Sequence, residues 1–185
     1  MKKDTRQKIL DAASALFLEG GINALSVRAI AKGAGMSTIG IYSHFKGKQG
    51  ILDALYIEGT ELIEREILAA DGNTPAEKVI NGCESILSFS ETHTAHYQLI
   101  FSSNLKGYTP CEDASEASEK AFSTFTKLIT ALIKKELSTD DKQSVAMQLW
   151  ALSHGYITLS QHHSSNYLTD NNWKERALQA IRLHV

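Results

Sequence analysis

Apolar residues recur along this chain at spacings of three and four, the period of a helix with one buried face. The first such run, Thr5 to Glu19, places Ile9, Ala13, Leu16 and Phe17 together and is stopped by Gly20-Gly21. Two short stretches follow: Ser26 precedes Val27, Ile30, Ala31 and Ala34, and Ser37 precedes Ile41 and Phe45. A long run beginning at Gly47 carries Ile51, Leu52, Leu55, Leu62, Ile63 and Ile67 and closes at Asp71-Gly72-Asn73. Thr74-Pro75-Ala76-Glu77 is a capping box with proline at the first helical position, opening a helix that buries Val79, Ile80, Cys83, Ile86 and Leu87. His93 to Phe101 is a short further segment, and residues 104–113, with Gly107 and Pro110, read as a loop. Phe122, Phe125, Ile129, Leu132 and Ile133 define the next helix. Ser138 with Asp141 can cap another, carrying Val145, Leu149, Leu152, Tyr156 and Leu159. A polar loop from His162 to Asp170 precedes a last helix marked by Trp173, Ala177, Ala180 and Ile181. The pattern predicts nine helices and no sheet, an all-α chain.

The two short stretches form one unit, SVRAIAKGAGMSTIGIYSHFKGK, from Ser26 to Lys48. Ser26 and Ser37 are helix-capping residues, and each is bracketed by a hydrophobic staple, Leu25 with Ile30 and Met36 with Ile41. Gly35 between them can take the left-handed conformation a tight reversal requires. Two short helices joined in this way make a helix-turn-helix. With Ile41 and Phe45 turned inward, Thr38, Ile39, Tyr42 and His44 face outward, with Lys46 and Lys48 just beyond. Such a face suits a major groove: isoleucine packs on a thymine methyl, while Thr, Tyr, His and Lys reach bases or phosphates. The bland alternative is an ordinary corner of an all-α domain with Tyr42 half-buried as packing.

Composition sharpens this. The 185 residues allow one large or two modest domains, and 43% hydrophobic residues with two prolines fit a helical globule. The formal charge of −2 conceals an asymmetry: residues 1–50 hold eight Lys/Arg against three acids, leaving eleven against eighteen for the rest. A basic N-terminal part on an acidic body suits a protein that presents one end to phosphate. Cys83 and Cys111 are too few for a disulfide framework and read as packing or free thiols in a reducing cytoplasm. The start MKKDTRQK lacks the apolar stretch of a signal peptide, and no run approaches a membrane span.

Other candidate chemistry is thin. His93 and His96 are three apart and could share a helix face as metal ligands, but no matching acid or cysteine completes the set, so both are expected to be exposed polar residues. The adjacent His162 and His163 fit a loop or helix end. No nucleophile triad, glycine-rich phosphate loop or paired carboxylates stand out, and neither an enzyme, a metal nor a cofactor is expected.

From Thr5 to Tyr56 the chain resembles the DNA-binding domain of the TetR family of bacterial transcriptional regulators. The resemblance rests on TRQKILDAASALFLEGG, LSVRAIAKGAGMS and IYSHFKGKQGIL. Two positions depart from the usual pattern: Ile39-Gly40 replaces a small residue followed by Thr, Ser or Ala, and Gly33 replaces a helix former. A second stretch, WALSHGYITL (Trp150 to Leu159), with THTAHYQLIF, is similar to a Trp…His-Gly subgroup of the family. There Gly155 permits a close helix approach, and His154 can hydrogen-bond across it.

The resemblance implies an all-α homodimeric repressor, cytoplasmic, with residues 1–50 as the helix-turn-helix domain and 51–185 as the effector-binding and dimerisation domain. It implies double-stranded operator DNA and an unknown small-molecule effector as partners. Arg28, Thr38, Ile39 and Tyr42 are then candidate base contacts, and Ser26, Ser37, Tyr42, His44 and Lys48 candidate phosphate contacts. Tyr97, Phe101, Phe122, Phe125, Trp150, His154 and Tyr156 are candidates for the effector pocket, though all are core residues first. The helix from Gly47 is expected to act as a lever between the two parts. The competing class, an all-α enzyme or ligand-binding protein without an operator, sits poorly with the basic, aromatic reading face.

Overall fold

The computed structural model of the chain describes residues 4–102, 105, 107–132, 138–161 and 172–185. Among the described residues there are nine α-helices and no strand: α1 Thr5–Ala24, α2 Val27–Gly33, α3 Thr38–Tyr42, α4 Gly47–Ala69, α5 Pro75–Thr92, α6 Thr94–Phe101, α7 Glu112–Leu132, α8 Thr139–Gln161 and α9 Trp173–Arg182. Lys2, Lys3, Ile133, His162 and His163, with the polar loop to Asp170, lie outside the described residues.

Local signals set most boundaries. Gly20 and Gly21 leave helical geometry inside α1, and Gly21 adopts φ 63°, so the first apolar run stops there and only one further turn follows. At α5 the capping box is complete: Glu77 N–H donates to Thr74 Oγ1 at 3.2 Å, and Thr74 N–H returns to Glu77 Oε2 at 3.2 Å. Ser138 and Asp141 make the same reciprocal pair at the start of α8, with Asp141 N–H on Ser138 Oγ at 3.2 Å.

The chain divides into two compact units. The first comprises Met1–Glu61 and His93–Ser118, and the second Leu62–Thr92 and Glu119–Val185. The core of the first draws on Ile9, Ala13 and Phe17 of α1, Ile30 of α2, Ile41 of α3, and Ile51, Leu52 and Leu55 of α4. Ala95 and Leu99 of α6 join it. A polar anchor supplements this packing: the Asp53 carboxylate accepts the Tyr108 hydroxyl at 3.1 Å, the Cys111 N–H at 3.2 Å and Gln49 Nε2 at 3.1 Å.

In the second unit α5 packs on α8 and α9, which also pack on each other. Phe89, Phe125, Ile86, Leu87 and Ile157 are fully buried there. Gly82 admits α7 closely, since a Cβ at that position would lie 2.7 Å from Leu128 Cδ2. Glu64 is buried but partnered, accepting Lys120 Nζ at 2.9 Å and Thr124 Oγ1 at 2.8 Å. The Lys120 ammonium holds its carboxyl below the usual range.

Three expectations change. Leu159, counted on the inward face of α8, is 49% exposed, and Ile80 of α5 is only half-buried. Gly155 makes no close approach among the described residues, because none of them lies within 4 Å of where its Cβ would be. It faces outward on α8, so the contact anticipated for it is not with another described helix. Both cysteines are free, Cys83 buried with its thiol bonded to Ser153 and pushed up to about 12 by burial.

Candidate nucleic-acid interface

The helix-turn-helix is built from its caps inward. Ser26 Oγ accepts the Ala29 N–H at 3.1 Å, and Ser37 Oγ accepts the Gly40 N–H at 3.2 Å, so each short helix starts on a satisfied donor. Between them Gly35 takes φ 67°, and Met36 N–H reaches back to the Ala31 carbonyl at 2.9 Å. Ile30, Ile41 and Phe45 anchor the underside of the motif, none more than 6% exposed. Gly33 has a tertiary reason: a Cβ there would lie 3.2 Å from Ala12 Cβ, so its lack of a side chain lets α2 approach α1. Gly40 has none of that kind, since the atoms nearest its Cβ would be those of Met36 and Ser37, at ordinary distances from 3.6 Å.

Anchored from below, α3 presents its other face to solvent. Ile39 is 80% exposed and Tyr42 63% exposed, so Tyr42 is not the half-buried packing residue of the bland alternative. Thr38 is half-buried beside them; Ser26, Arg28, Ser37 and His44 are exposed. Gly47, at φ 74°, turns the chain into α4 beneath the Tyr42 ring, and a Cβ there would sit 3.5 Å from Tyr42 Cε1. Lys48 is tethered, its ammonium donating to the Ile22 carbonyl at 2.6 Å, which leaves two further donors on the same nitrogen.

Arg6 is a member of this neighbourhood that the motif did not reveal. Its guanidinium lies 4.4 Å from the centroid of the Phe45 ring, with Nη1 3.5 Å from the His44 carbonyl, at the long end of hydrogen bonding. Only its position in the basic opening TRQK hinted at this, because Arg6 and Phe45 are far apart in sequence.

The pocket candidates fall into two groups, one in each unit. Tyr97 and Phe101 stack along α6 with centroids 4.9 Å apart; Tyr97 is buried, which raises its hydroxyl well above the usual value. Trp150 sits at the centre of the second group, 5.3 Å from Phe122, 5.0 Å from Phe125 and 4.8 Å from His154. Burial pushes the His154 imidazole down to about 4, so it is neutral near pH 7. Tyr156 is half-buried on α8. His96 is not an exposed polar residue as expected: its Nε2 lies 3.0 Å from Glu58 Oε2, and its side chain is 12% exposed. Among the described residues no cluster of three or more metal-ligating side chains occurs, and no helix is long and apolar enough to cross a membrane.

An all-helical chain with a capped helix-turn-helix and a solvent-facing second helix defines the helix-turn-helix class of fold. The family model described as "Bacterial regulatory proteins, tetR family" matches residues 9–55. A second, "Tetracyclin repressor-like, C-terminal domain", matches residues 79–178. The chain therefore belongs to the TetR family of bacterial regulatory proteins. It is 33% identical over 97 residues to the probable HTH-type transcriptional regulator YttP of Bacillus subtilis, covering 50% of this chain and 47% of that one. It is 30% identical over 102 residues to the HTH-type transcriptional repressor KstR2 of Rhodococcus jostii, covering 52% and 50% respectively. The chain thus spans about half the length of these curated relatives. The fold as a whole is like that of a solved protein of unknown function from Rhodococcus sp. RHA1, with a TM-score of 0.81 at 21% identity, covering 98% of this chain and 94% of that one.

Proposed function

We propose that this chain is a sequence-specific DNA-binding transcriptional regulator, a cytoplasmic homodimeric repressor released from its operator by a small-molecule effector, and not an enzyme. The single observation that carries the reading is the exposure of Ile39 and Tyr42 on a five-residue helix whose other face is anchored by Ile41. A short helix gains nothing in stability from holding large apolar groups in water, so their use lies in a contact outside the chain. The name of the Rhodococcus jostii relative, a transcriptional repressor, supports repression over activation.

In this reading residues 1–50 bind DNA and 51–185 bind effector and pair two chains. Arg28, Thr38, Ile39 and Tyr42 read bases, while Ser26, Ser37, Tyr42, His44 and Lys48 hold phosphates. Effector recognition falls to the aromatic groups around Tyr97 and Trp150. Pairing uses α8 and α9 about a twofold axis: Met147, Ala151, Gly155 and Leu159 recur every fourth residue on the exposed side of α8, a seam that fits its own copy. The helix α4, unbroken from Gly47 to Ala69, carries the effector signal as a lever. Only a ligand that prefers the non-binding spacing of the two reading helices releases the DNA.

Arg28→Ala tests the site. It should weaken binding to the preferred duplex by about 1–3 kcal/mol and relax preference at one base pair, measured by fluorescence anisotropy against single-base variants. Equal weakening on every sequence removes Arg28 from base reading, and an unchanged affinity removes α2 from the interface.

A further inference from the structure

Cations in the two units are held differently. In the second unit Lys78, Lys120 and Lys174 each lie against a carboxylate, of Asp71, Glu64 and Glu91 respectively. In the first, Lys48 and Arg6 are fastened to neutral groups at the end of the reading motif. Lys48 Nζ donates to the Ile22 carbonyl at 2.6 Å. The Arg6 guanidinium lies over the Phe45 ring, 4.4 Å from its centroid, with Nη1 3.5 Å from the His44 carbonyl. Asp4, Glu58 and Glu61 line the same groove as Arg6, yet among the described residues it forms no ion pair with a carboxylate. The stability of α1 does not account for a cation at this position either. Arg6 stands in the first turn of α1, where positive charge opposes the helix dipole and no acidic residue of that turn offsets it. The side chain is exposed, so its charge stays hydrated and open to a partner outside the chain.

We propose that Arg6 binds a DNA phosphate beside the C-terminal end of α3, a point of attachment outside the helix-turn-helix motif. This rests on the reading of the chain as a DNA-binding regulator that docks through α2 and α3. Phosphates wall the groove that α3 would enter, and the His44 carbonyl beside the guanidinium marks the end of that helix. Stacking on Phe45 fixes the guanidinium plane in advance, so less freedom is lost when its remaining N–H groups meet phosphate oxygens. The contact supplies affinity and register and carries no sequence preference of its own. A lysine here would keep the charge while losing the planar stack.

The test uses the full-length chain and two labelled duplexes, one that the wild type selects from a random-sequence library and one of unrelated sequence. Affinities of the wild type, Arg6→Gln and Arg6→Lys are measured from about 50 to 200 mM salt, and thermal melts establish that each variant is folded. Arg6→Gln should weaken binding to both duplexes alike, by about five- to tenfold at the low-salt end. Its plot of log affinity against log salt should be shallower by about one unit per protomer, while Arg6→Lys keeps the wild-type slope. A folded Arg6→Gln with the wild-type slope makes Arg6 a clamp on Phe45, and one that loses affinity for the selected duplex alone makes it a base reader. Either result overturns the phosphate contact and leaves the regulator reading standing. If Arg6→Gln fails to fold, the wild type decides: bound duplex should slow the reaction of Arg6 with phenylglyoxal, mapped by mass spectrometry. Equal modification with and without duplex overturns the contact. A wild type that selects no duplex overturns both readings.

Discussion

The outward face of α3 and the interior around Trp150 use similar residues to opposite ends. On α3, Ile39 and Tyr42 stand in solvent at 80% and 63% exposure, above the buried Ile41. Around Trp150, Phe125 is wholly buried and His154 is neutral because water has been excluded from it. On the proposed reading, the same kinds of side chain serve affinity in one place and stability in the other. What separates them is how much of their surface this chain's own residues cover. Substitutions should accordingly divide into those that unfold and those that merely release DNA.

The largest effect belongs to the buried side. Phe125→Ala should lower stability by about 3–5 kcal/mol in denaturant melts, because the cavity it leaves among packed helices cannot fully collapse. A loss below 1 kcal/mol would show that the aromatic group is loosely packed and open to a ligand.

His154 sets the next. Folding depresses its pKa from near 6.5 to about 4, so the unfolded chain binds the additional proton between these values. Stability should be full above pH 6.5 and decline as pH falls toward 4, on the order of 3 kcal/mol from this residue. His154→Phe should flatten that part of a pH-dependent melting series, and an unchanged slope would place the imidazole in contact with water.

Tyr42→Ala is the counterpart on the exposed side. Melting should shift by no more than about 0.5 kcal/mol while affinity for the selected duplex drops by about 1–3 kcal/mol. A large stability loss would make Tyr42 a packing residue after all. The smallest effect is at Gly40, where a Cβ meets only ordinary contacts. Gly40→Ala should stabilise α3 by about 0.5–1 kcal/mol, seen as a higher melting temperature.

The local features of this contrast were legible in the sequence. Ser26, Ser37, the Thr74–Glu77 box and the Ser138–Asp141 pair were all readable because a cap and its partner lie within four residues. Inward Ile41 and outward Ile39 followed from helical spacing alone. Partners distant along the chain were not legible. Lys48 reaches back to Ile22, Arg6 covers Phe45, and His96 meets Glu58 across 38 positions, so no periodicity announces them. Gly33 seemed a poor helix residue until Ala12 appeared beside it. Gly155 erred the other way: a small residue suggests a close helix approach, and no described residue makes one.

Selection of duplexes from a random-sequence library by the wild-type protein tests the central claim most directly. A dimer that reads DNA through α2 and α3 should enrich an inverted repeat with half-sites about 34–36 Å apart, or a multiple of that distance. Its Tyr42→Ala variant, folded to the same melting temperature, should fail to retain it. A folded wild type that enriches no sequence, or one that enriches a duplex equally well without Tyr42, would contradict the account.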